Sequence, residues 1–114
     1  MITIYHNPRC KKSREGLNYL KNAGIEYEII DYINHPLTVD ELKKILIKLN
    51  KRPYEIVRIQ EDYYKRELKG KNFTDDEWLD ILLENPKLIQ RPIVSGKYKA
   101  VIAQPPELMN DVIK

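Results

Sequence analysis

Residues 2–13 read ITIYHNPRCKKS, a stretch that passes from an apolar strand through a polar turn into a helix. Residues 2–5 are apolar or β-branched, which favours a strand. Apolar side chains at helical spacing then predict a helix over residues 13–22, and Gly24 is a typical helix stop. Residues 27–32 alternate and then run apolar, which predicts a second strand. A strand, a helix and a strand in this order predict a βαβ unit with parallel neighbouring strands.

The rest of the chain predicts a group of helices, then a hairpin and a last helix. Two capping boxes, Thr38 with Glu41 and Thr74 with Glu77, mark helix starts. The predicted elements are helices over 38–50 and 74–84, helical turns over 54–59 and 62–68, strands over 93–94 and 98–103 around a turn at 95–97, and a helix from Pro105 with Leu108, Met109, Val112 and Ile113 as its buried stripe. This order predicts an α/β, thioredoxin-like fold, a mixed sheet of about four strands with an inserted helical subdomain. We therefore expect one thioredoxin-like domain over 1–114, with the helical insertion at approximately 38–86.

Composition limits the class of protein. The chain has 114 residues, a formal net charge of +3 and interspersed acidic and basic residues. Nucleic-acid surfaces usually show a broader basic stripe, so no nucleic-acid partner is expected. No apolar run approaches the ~20 residues of a membrane span and no secretory signal is visible, so no membrane association is expected. A single cysteine cannot form an internal disulfide, which is typical of the reducing cytoplasm, and we expect a cytoplasmic protein.

The single cysteine, Cys10, is the first candidate for chemistry. It lies where the first helix begins, so its sulfur faces unpaired backbone N–H groups and the positive end of the helix dipole. Both favour the thiolate, which is the nucleophilic form. Arg9, Lys11, Lys12 and Arg14 add positive charge nearby. The alternative is that Cys10 is a small buried hydrophobe, but a polar, basic turn fits that role poorly.

Ser13 stands three residues after Cys10, where a Cys-x-x-Cys redox motif would have its second thiol. A dithiol resolves a mixed disulfide internally, whereas a Cys-x-x-Ser site needs an external thiol. The Ser13 hydroxyl either donates a hydrogen bond to the thiolate or caps the helix.

Two histidines are present, His6 and His35. His6 precedes Cys10 by four residues; protonated, it would lower the thiol pKa, and neutral, it would orient the turn. An ordinary, hydrogen-bonded histidine at a strand end is an equal alternative. His35 lies in a predicted turn and is expected to be solvated. Because the histidines and the cysteine lack metal-ligand spacing, no metal site is expected.

Arg91-Pro92 is the second local feature with chemical meaning, because it precedes a strand in the second half of the domain. Thioredoxin-like folds place a cis-proline loop there, opposite the nucleophile, and an X-Pro bond is suited to the cis form. The planar guanidinium of Arg91 would then point into the site and match an oxyanion. The alternative is a surface arginine at a strand start.

Three segments together, YHNPRC at 5–10, Ser13-Arg14 and RPIV at 91–94, resemble the glutaredoxin-linked arsenate reductase (ArsC) family of the thioredoxin-like superfamily. The similarity runs through essentially the whole chain. The resemblance implies a nucleophilic Cys10 assisted by His6, and an oxyanion site with Arg58 and Arg91. It also implies supporting roles for Asn7, Ser13, Arg14 and Pro92, no bound cofactor, glutathione as co-substrate and glutaredoxin as partner.

The chain departs from the family pattern at one position. The family's third oxyanion-site arginine precedes a proline after the hairpin, and here that position is Gln104. Gln104 donates a neutral hydrogen bond but carries no charge. Loss of one charge-assisted contact would weaken transition-state binding by roughly 1.5–3 kcal/mol, which is tenfold to over a hundredfold in rate. Arg9 and Lys11 are the candidates to replace the missing charge.

Three functions follow from these features. The first is arsenate reduction, in which the Cys10 thiolate attacks arsenic and glutathione and glutaredoxin supply the reducing thiols. The second is a monothiol oxidoreductase that acts on glutathionylated proteins or on another oxyanion, and Gln104 favours it. The third is a non-enzymatic RNA polymerase-binding regulator, because the family has such relatives. Those regulators often carry Cys-x-x-Cys and lack the His-Asn-Pro lead-in, the opposite of this chain at both places.

Overall fold

The first strand, β1 (Ile2–His6), lies inside a four-stranded sheet with the order β2-β1-β3-β4. In the computed structural model, which describes residues 1–113, β2 (Tyr27–Asp31) pairs with β1 in parallel. On the other side β3 (Ile93–Ser95) runs antiparallel to β1, and β4 (Ala100–Ile102) runs antiparallel to β3. The sequence prediction of a mixed α/β sheet with four strands is therefore confirmed.

Helices α1 (Lys11–Asn22), α2 (Val39–Leu49) and α3 (Asp75–Glu84) connect these strands. Helix α1 begins immediately after Cys10, two residues before the predicted start. Helices α2 and α3 begin at the two predicted capping boxes, in which the threonine hydroxyl accepts from a backbone N–H and the glutamate carboxylate accepts from the threonine N–H. Each box pairs backbone donors that the first helical turn leaves free.

The shorter elements differ from the prediction in type and length. Helical turns occur at Pro53–Ile56, Tyr64–Leu68 and Pro86–Leu88, and β4 is shorter than the predicted strand over 98–103. The chain closes with a 3₁₀ helix, Pro106–Met109, followed by α4, Asn110–Ile113. The predicted buried stripe is wrong at Leu108, which is 46% exposed while Met109 is fully buried. The cause is the 3₁₀ turn, whose three-residue period does not follow the α-helical spacing used for the prediction.

The sheet has a core on each face, because successive side chains of a strand point to opposite sides. On one face Ile4 and Val94 pack with Leu20 of α1 and with Met109. On the other face lies the larger core, which joins Ile93 and Ala100 to the buried sides of α2 and α3. The helices between β2 and β3 therefore pack on the sheet and carry Arg58 toward the end where β1 leads into α1. Over residues 1–113, no helix combines the length and apolar character of a membrane span.

Candidate active site

Cys10 occupies the N-cap position of α1, at the end of the turn that leaves β1. Its backbone N–H donates to the carbonyl of Asn7 at 3.0 Å, and its carbonyl accepts from the N–H of Arg14 at 3.0 Å. The turn and the first helical turn therefore fix the Cys10 backbone from both sides. Its side chain is partly exposed, as a reacting thiol requires.

The Cys10 side chain opens into a pocket of about 550 Å³, which we call the thiol pocket. The pocket brings together four chain segments: the β1–α1 turn, the loop after β2, the segment around Arg58 and the approach to β3. Its lining residues are Asn7, Pro8, Arg9, Cys10, Ile33, Asn34, Arg58, Glu61, Lys87 and Arg91. Four of them are cations and one is an acid, so the pocket is suited to an anion.

Arg91 contacts the sulfur directly. Its Nε donates to Cys10 Sγ at 2.8 Å, and the Arg91-Pro92 peptide bond is cis. Pro92 is buried against Gly16 of α1; a Cβ at Gly16 would lie 2.6 Å from the Pro92 Cγ. Such a distance is below any real Cβ contact, so the proline loop comes this close to α1 because residue 16 is a glycine.

The environment of Cys10 has opposing effects on its pKa. Burial raises the pKa of the thiol, whereas hydrogen bonds from the Ser13 N–H, the Arg91 guanidinium and the Lys12 N–H lower it, and the net result lies below the ordinary value. The two backbone donors belong to the first turn of α1, where N–H groups have no intrahelical partner. The backbone N–H groups at the start of α1 and the guanidinium of Arg91 therefore both favour the thiolate.

This lowered pKa predicts the pH profile of Cys10 alkylation. Because only the thiolate reacts, the rate of modification by iodoacetamide should rise with pH and level off at a lower pH than for free cysteine, whose pKa is about 8.5. The measurement is alkylation followed by mass spectrometry across pH, with the urea-unfolded chain as the reference. Coincident midpoints for the folded and unfolded chains would contradict the prediction.

Arg58 reaches the pocket through a short backbone pairing rather than a regular strand. Val57 and Ile89 form an isolated antiparallel bridge, and the Arg58 N–H donates to the Leu88 carbonyl at 2.7 Å. Its guanidinium donates to the Lys87 carbonyl at 3.1 Å and lies 3.4 Å from the Glu61 carboxylate. Within residues 1–113 the buried Nε of Arg58 has no hydrogen-bond partner, so one donor of this guanidinium is free.

His6 lies behind the thiol rather than beside it. Its Nδ1 is 2.7 Å from the Ser13 hydroxyl, which also accepts from the Asn7 N–H at 2.9 Å. Burial lowers the pKa of His6, against a smaller opposing effect of Asp31, so the ring is neutral at neutral pH. The geometry does not favour the protonated histidine; it fits both the neutral histidine that orients the turn and the ordinary hydrogen-bonded histidine at a strand end.

The Ser13 side chain takes neither of the two roles proposed from the sequence. It is fully buried and bonds His6 and Asn7, while the Ser13 backbone N–H faces the sulfur. Among the other supporting residues, Asn7 lines the pocket and Arg14 donates to the Pro8 carbonyl at 3.3 Å, which ties α1 to the turn.

Gln104 does not join the other predicted residues. It is exposed and lines a separate groove with Gln90 and Lys51, because Ala103 before it is buried and donates to the Pro92 carbonyl at 2.8 Å. The Gln104 N–H donates to the Ile102 carbonyl at 2.9 Å, so the chain turns here, and the Gln104 side chain lies on the exposed side. Of the two candidates for the missing charge, Arg9 lines the thiol pocket, whereas Lys11 is not among its lining residues.

Sequence reasoning missed four pocket residues: Ile33, Asn34, Glu61 and Lys87. The first two follow Asp31, whose carboxylate accepts from the N–H groups of Ile33 and Asn34 and so shapes the loop. An aspartate at the end of a strand was the available sequence signal for that loop. Glu61 and Lys87 have no local signal, because only the packing of the helical segments brings them to the thiol pocket.

The described part of the chain contains no cluster of three or more His, Cys, Asp or Glu side chains that could hold a metal ion. Residues of the thiol pocket offer mainly N–H donors and positive charge, which suit an anion.

Comparison with known proteins finds relatives that agree with one another in sequence family and in fold. A family model described as ArsC family matches residues 5–112. The uncharacterized Escherichia coli K12 protein YfgD is 40% identical over 116 residues, which cover 98% of this chain and 96% of that protein. The arsenate reductase of Neisseria meningitidis serogroup B is 37% identical and covers 98% of this chain and 97% of its own. Among solved structures, the arsenate reductase from Vibrio cholerae has a TM-score of 0.90 at 37% identity, covering 97% of this chain and 96% of that one.

Proposed function

The chain belongs to the ArsC family, and from this premise we propose that it is an arsenate reductase-like thiol oxidoreductase whose nucleophile is Cys10. Its fold is the thioredoxin-like fold of the family, as predicted from the order of elements. The observation that carries the proposal is the 2.8 Å contact of Arg91 Nε with Cys10 Sγ inside a cationic pocket. One guanidinium there both favours the thiolate and faces the position of an oxyanion attacked by it.

In the first step, the Cys10 thiolate attacks arsenic, an S–As bond forms, and one arsenate oxygen leaves as water after protonation. Arg91 and the guanidinium of Arg58, which both line the thiol pocket, donate to the remaining oxygens, where charge collects. His6 acts through Ser13 as a positioning residue, because it holds the turn that carries Asn7 and the thiol.

In the second step, an external thiol is required, because the chain has one cysteine. Glutathione attacks the adduct; the two sulfurs form a mixed disulfide, arsenic takes the two electrons, and arsenite leaves. A glutaredoxin then reduces the mixed disulfide and regenerates Cys10. Glutathione and glutaredoxin are therefore the proposed reductant partners, and the reducing cytoplasm is the proposed location.

The test is a coupled assay that follows arsenate-dependent oxidation of NADPH through glutathione reductase, with glutathione and glutaredoxin present. We expect turnover by the wild-type chain and none by Cys10→Ser. If the wild-type chain shows no turnover above Cys10→Ser, arsenate reduction is overturned.

Glu61 competes with the substrate for Arg58, since its carboxylate lies 3.4 Å from the guanidinium. Glu61→Gln removes both this ion pair and a repulsive charge in the pocket. Because a partly exposed ion pair is worth up to about 1 kcal/mol, KM for arsenate should fall about two- to fivefold. The matched control is Glu26→Gln, an exposed site before β2 at the opposite end of the sheet. An unchanged or higher KM in Glu61→Gln would contradict this competition.

A second candidate function is thiol exchange on glutathionylated substrates, and the outward position of Gln104 favours it. The residue that replaces the third arginine lies outside the thiol pocket, which leaves Arg9 as the third arginine there. Comparing kcat/KM for arsenate and for a glutathionylated peptide, in the wild-type chain and in Gln104→Arg, separates the two candidates. A strong preference of the wild-type chain for the peptide would support the second candidate, and Gln104→Arg should leave that preference unchanged because residue 104 lies outside the thiol pocket.

A further inference from the structure

A second cavity of about 290 Å³ adjoins the thiol pocket, and we call it the side pocket. The two share Ile33, Glu61 and Lys87 as a common wall. The thiol pocket alone already lies within the range of about 300–1,000 Å³ that takes drug-sized ligands. A single tetrahedral oxyanion at Cys10 therefore leaves most of the thiol pocket, and all of the side pocket, free for another ligand.

The side pocket has an apolar floor and a rim of both charges. Tyr63 and the buried Leu88 contribute apolar surface beside Ile33. Glu84 and Lys87 are exposed at the rim, and neither side chain has an ion-pair partner within residues 1–113. Unpaired charges of opposite sign at one rim fit a ligand that carries an ammonium and a carboxylate close together.

Cys10 needs an external thiol to complete the proposed reaction, so a ligand that carries a thiol is the class expected beside it. A molecule that places its sulfur at Cys10 and extends along Ile33, Glu61 and Lys87 reaches the side pocket, because these residues line both cavities. We propose, on the basis of the proposed thiol chemistry, that the side pocket binds the γ-glutamyl end of glutathione, with its carboxylate at Lys87 and its ammonium at Glu84. The γ-glutamyl group carries both charges on one carbon, as the rim requires.

The test is disulfide exchange without arsenate. The Cys10 thiolate attacks one sulfur of glutathione disulfide, a Cys10–glutathione disulfide forms, and the second glutathione leaves as a thiolate that takes a proton from water. Mass spectrometry gives the rate constant for this reaction and for 2-hydroxyethyl disulfide, which lacks the γ-glutamyl group. The readout is the ratio of the two rate constants, because changes in thiol reactivity or folding affect both.

Lys87→Glu should lower this ratio about fivefold, because it replaces attraction to the carboxylate with repulsion. Glu84→Lys should also lower the ratio, because a lysine at this position would repel the ammonium of the γ-glutamyl group. The matched control is Lys97→Glu, which makes the same charge change at the hairpin turn, at the far end of the sheet from Cys10. Its ratio should equal that of the wild-type chain.

Equal ratios in Lys87→Glu and Lys97→Glu would overturn the proposal, as would a wild-type chain with no preference for glutathione disulfide. Neither result bears on arsenate, which has its own assay. Conversely, suppose that the ratio falls as expected in Lys87→Glu while the wild-type chain shows no arsenate turnover. That result would support the glutathione site and contradict only the arsenate step.

Discussion

Replacing Arg91 by alanine should slow arsenate turnover by about tenfold to over a hundredfold, which corresponds to the roughly 1.5–3 kcal/mol of a charge-assisted hydrogen bond. The change removes the 2.8 Å contact from Nε to Cys10 Sγ and a cation from the thiol pocket. Two effects therefore combine, a smaller thiolate fraction at neutral pH and weaker stabilisation of the arsenate oxygens. The measurement is kcat/KM for arsenate in the coupled assay.

The two effects separate in a pH profile. Because the guanidinium is one of the groups that lower the pKa of Cys10, alkylation of Arg91→Ala should level off at a higher pH than in the wild-type chain. Arg91→Lys is the matched variant, since it keeps the charge but lacks the planar fork. It should restore part of the alkylation profile and less of the arsenate rate. If Arg91→Ala keeps both the wild-type profile and the wild-type rate, Arg91 has no part in the reaction.

Local sequence was enough to predict the elements around Cys10. Residues 2–13 follow strand and helix rules that depend on near neighbours, and both capping boxes are four-residue motifs. The contact between Arg91 and Cys10 joins positions 81 residues apart. Its prediction came from the thioredoxin-like order of elements, which places a proline loop opposite the nucleophile, and from the family resemblance, because no local rule reaches that far.

The remainder of the site depends on packing that no short motif encodes. Glu61 and Lys87 line the thiol pocket because the segment around Val57 pairs with Ile89, and this isolated bridge leaves no strand pattern in the sequence. Gln104 was placed at the site by its position in the family pattern, yet the burial of the preceding residue turns it outward. Side-chain direction at a chain reversal depends on which neighbour enters the core, and that is a tertiary property.

Two contacts outside the thiol pocket determine the relative positions of Cys10 and Arg91 within it. On one side, Gly16 lets the Pro92 loop approach α1, which places Arg91 at the sulfur. On the other side, the Ser13 hydroxyl ties His6 of β1 to the N–H of Asn7 in the turn. His6, Ser13, Gly16 and Pro92 are not among the lining residues of the thiol pocket, yet their contacts determine where the thiol and the guanidinium meet. Variants at these positions are therefore expected to change stability and reactivity together.

Ser13→Ala is expected to lower the free energy of unfolding by about 2–3 kcal/mol. The hydroxyl is fully buried, and its removal leaves the His6 Nδ1 and the Asn7 N–H without their partner. Each buried polar group left unpaired costs about 1–3 kcal/mol, and Asn7 recovers part of this because it is only half-buried and lies at the pocket. Urea unfolding at neutral pH, where His6 is uncharged, measures the loss.

A double-mutant cycle shows whether the loss comes from the bond itself. If Ser13→Ala destabilises the chain because it leaves the His6 ring without a partner, the double variant His6→Leu with Ser13→Ala should lose less stability than the sum of the two single variants. The expected coupling is about 1 kcal/mol, within the range for residues in direct contact. Additive single changes would mean that the two side chains act independently, and a loss well below 1 kcal/mol in Ser13→Ala would mean that water replaces the hydroxyl. In either case the hydrogen bond between Ser13 and His6 would contribute little to holding the turn that carries Cys10.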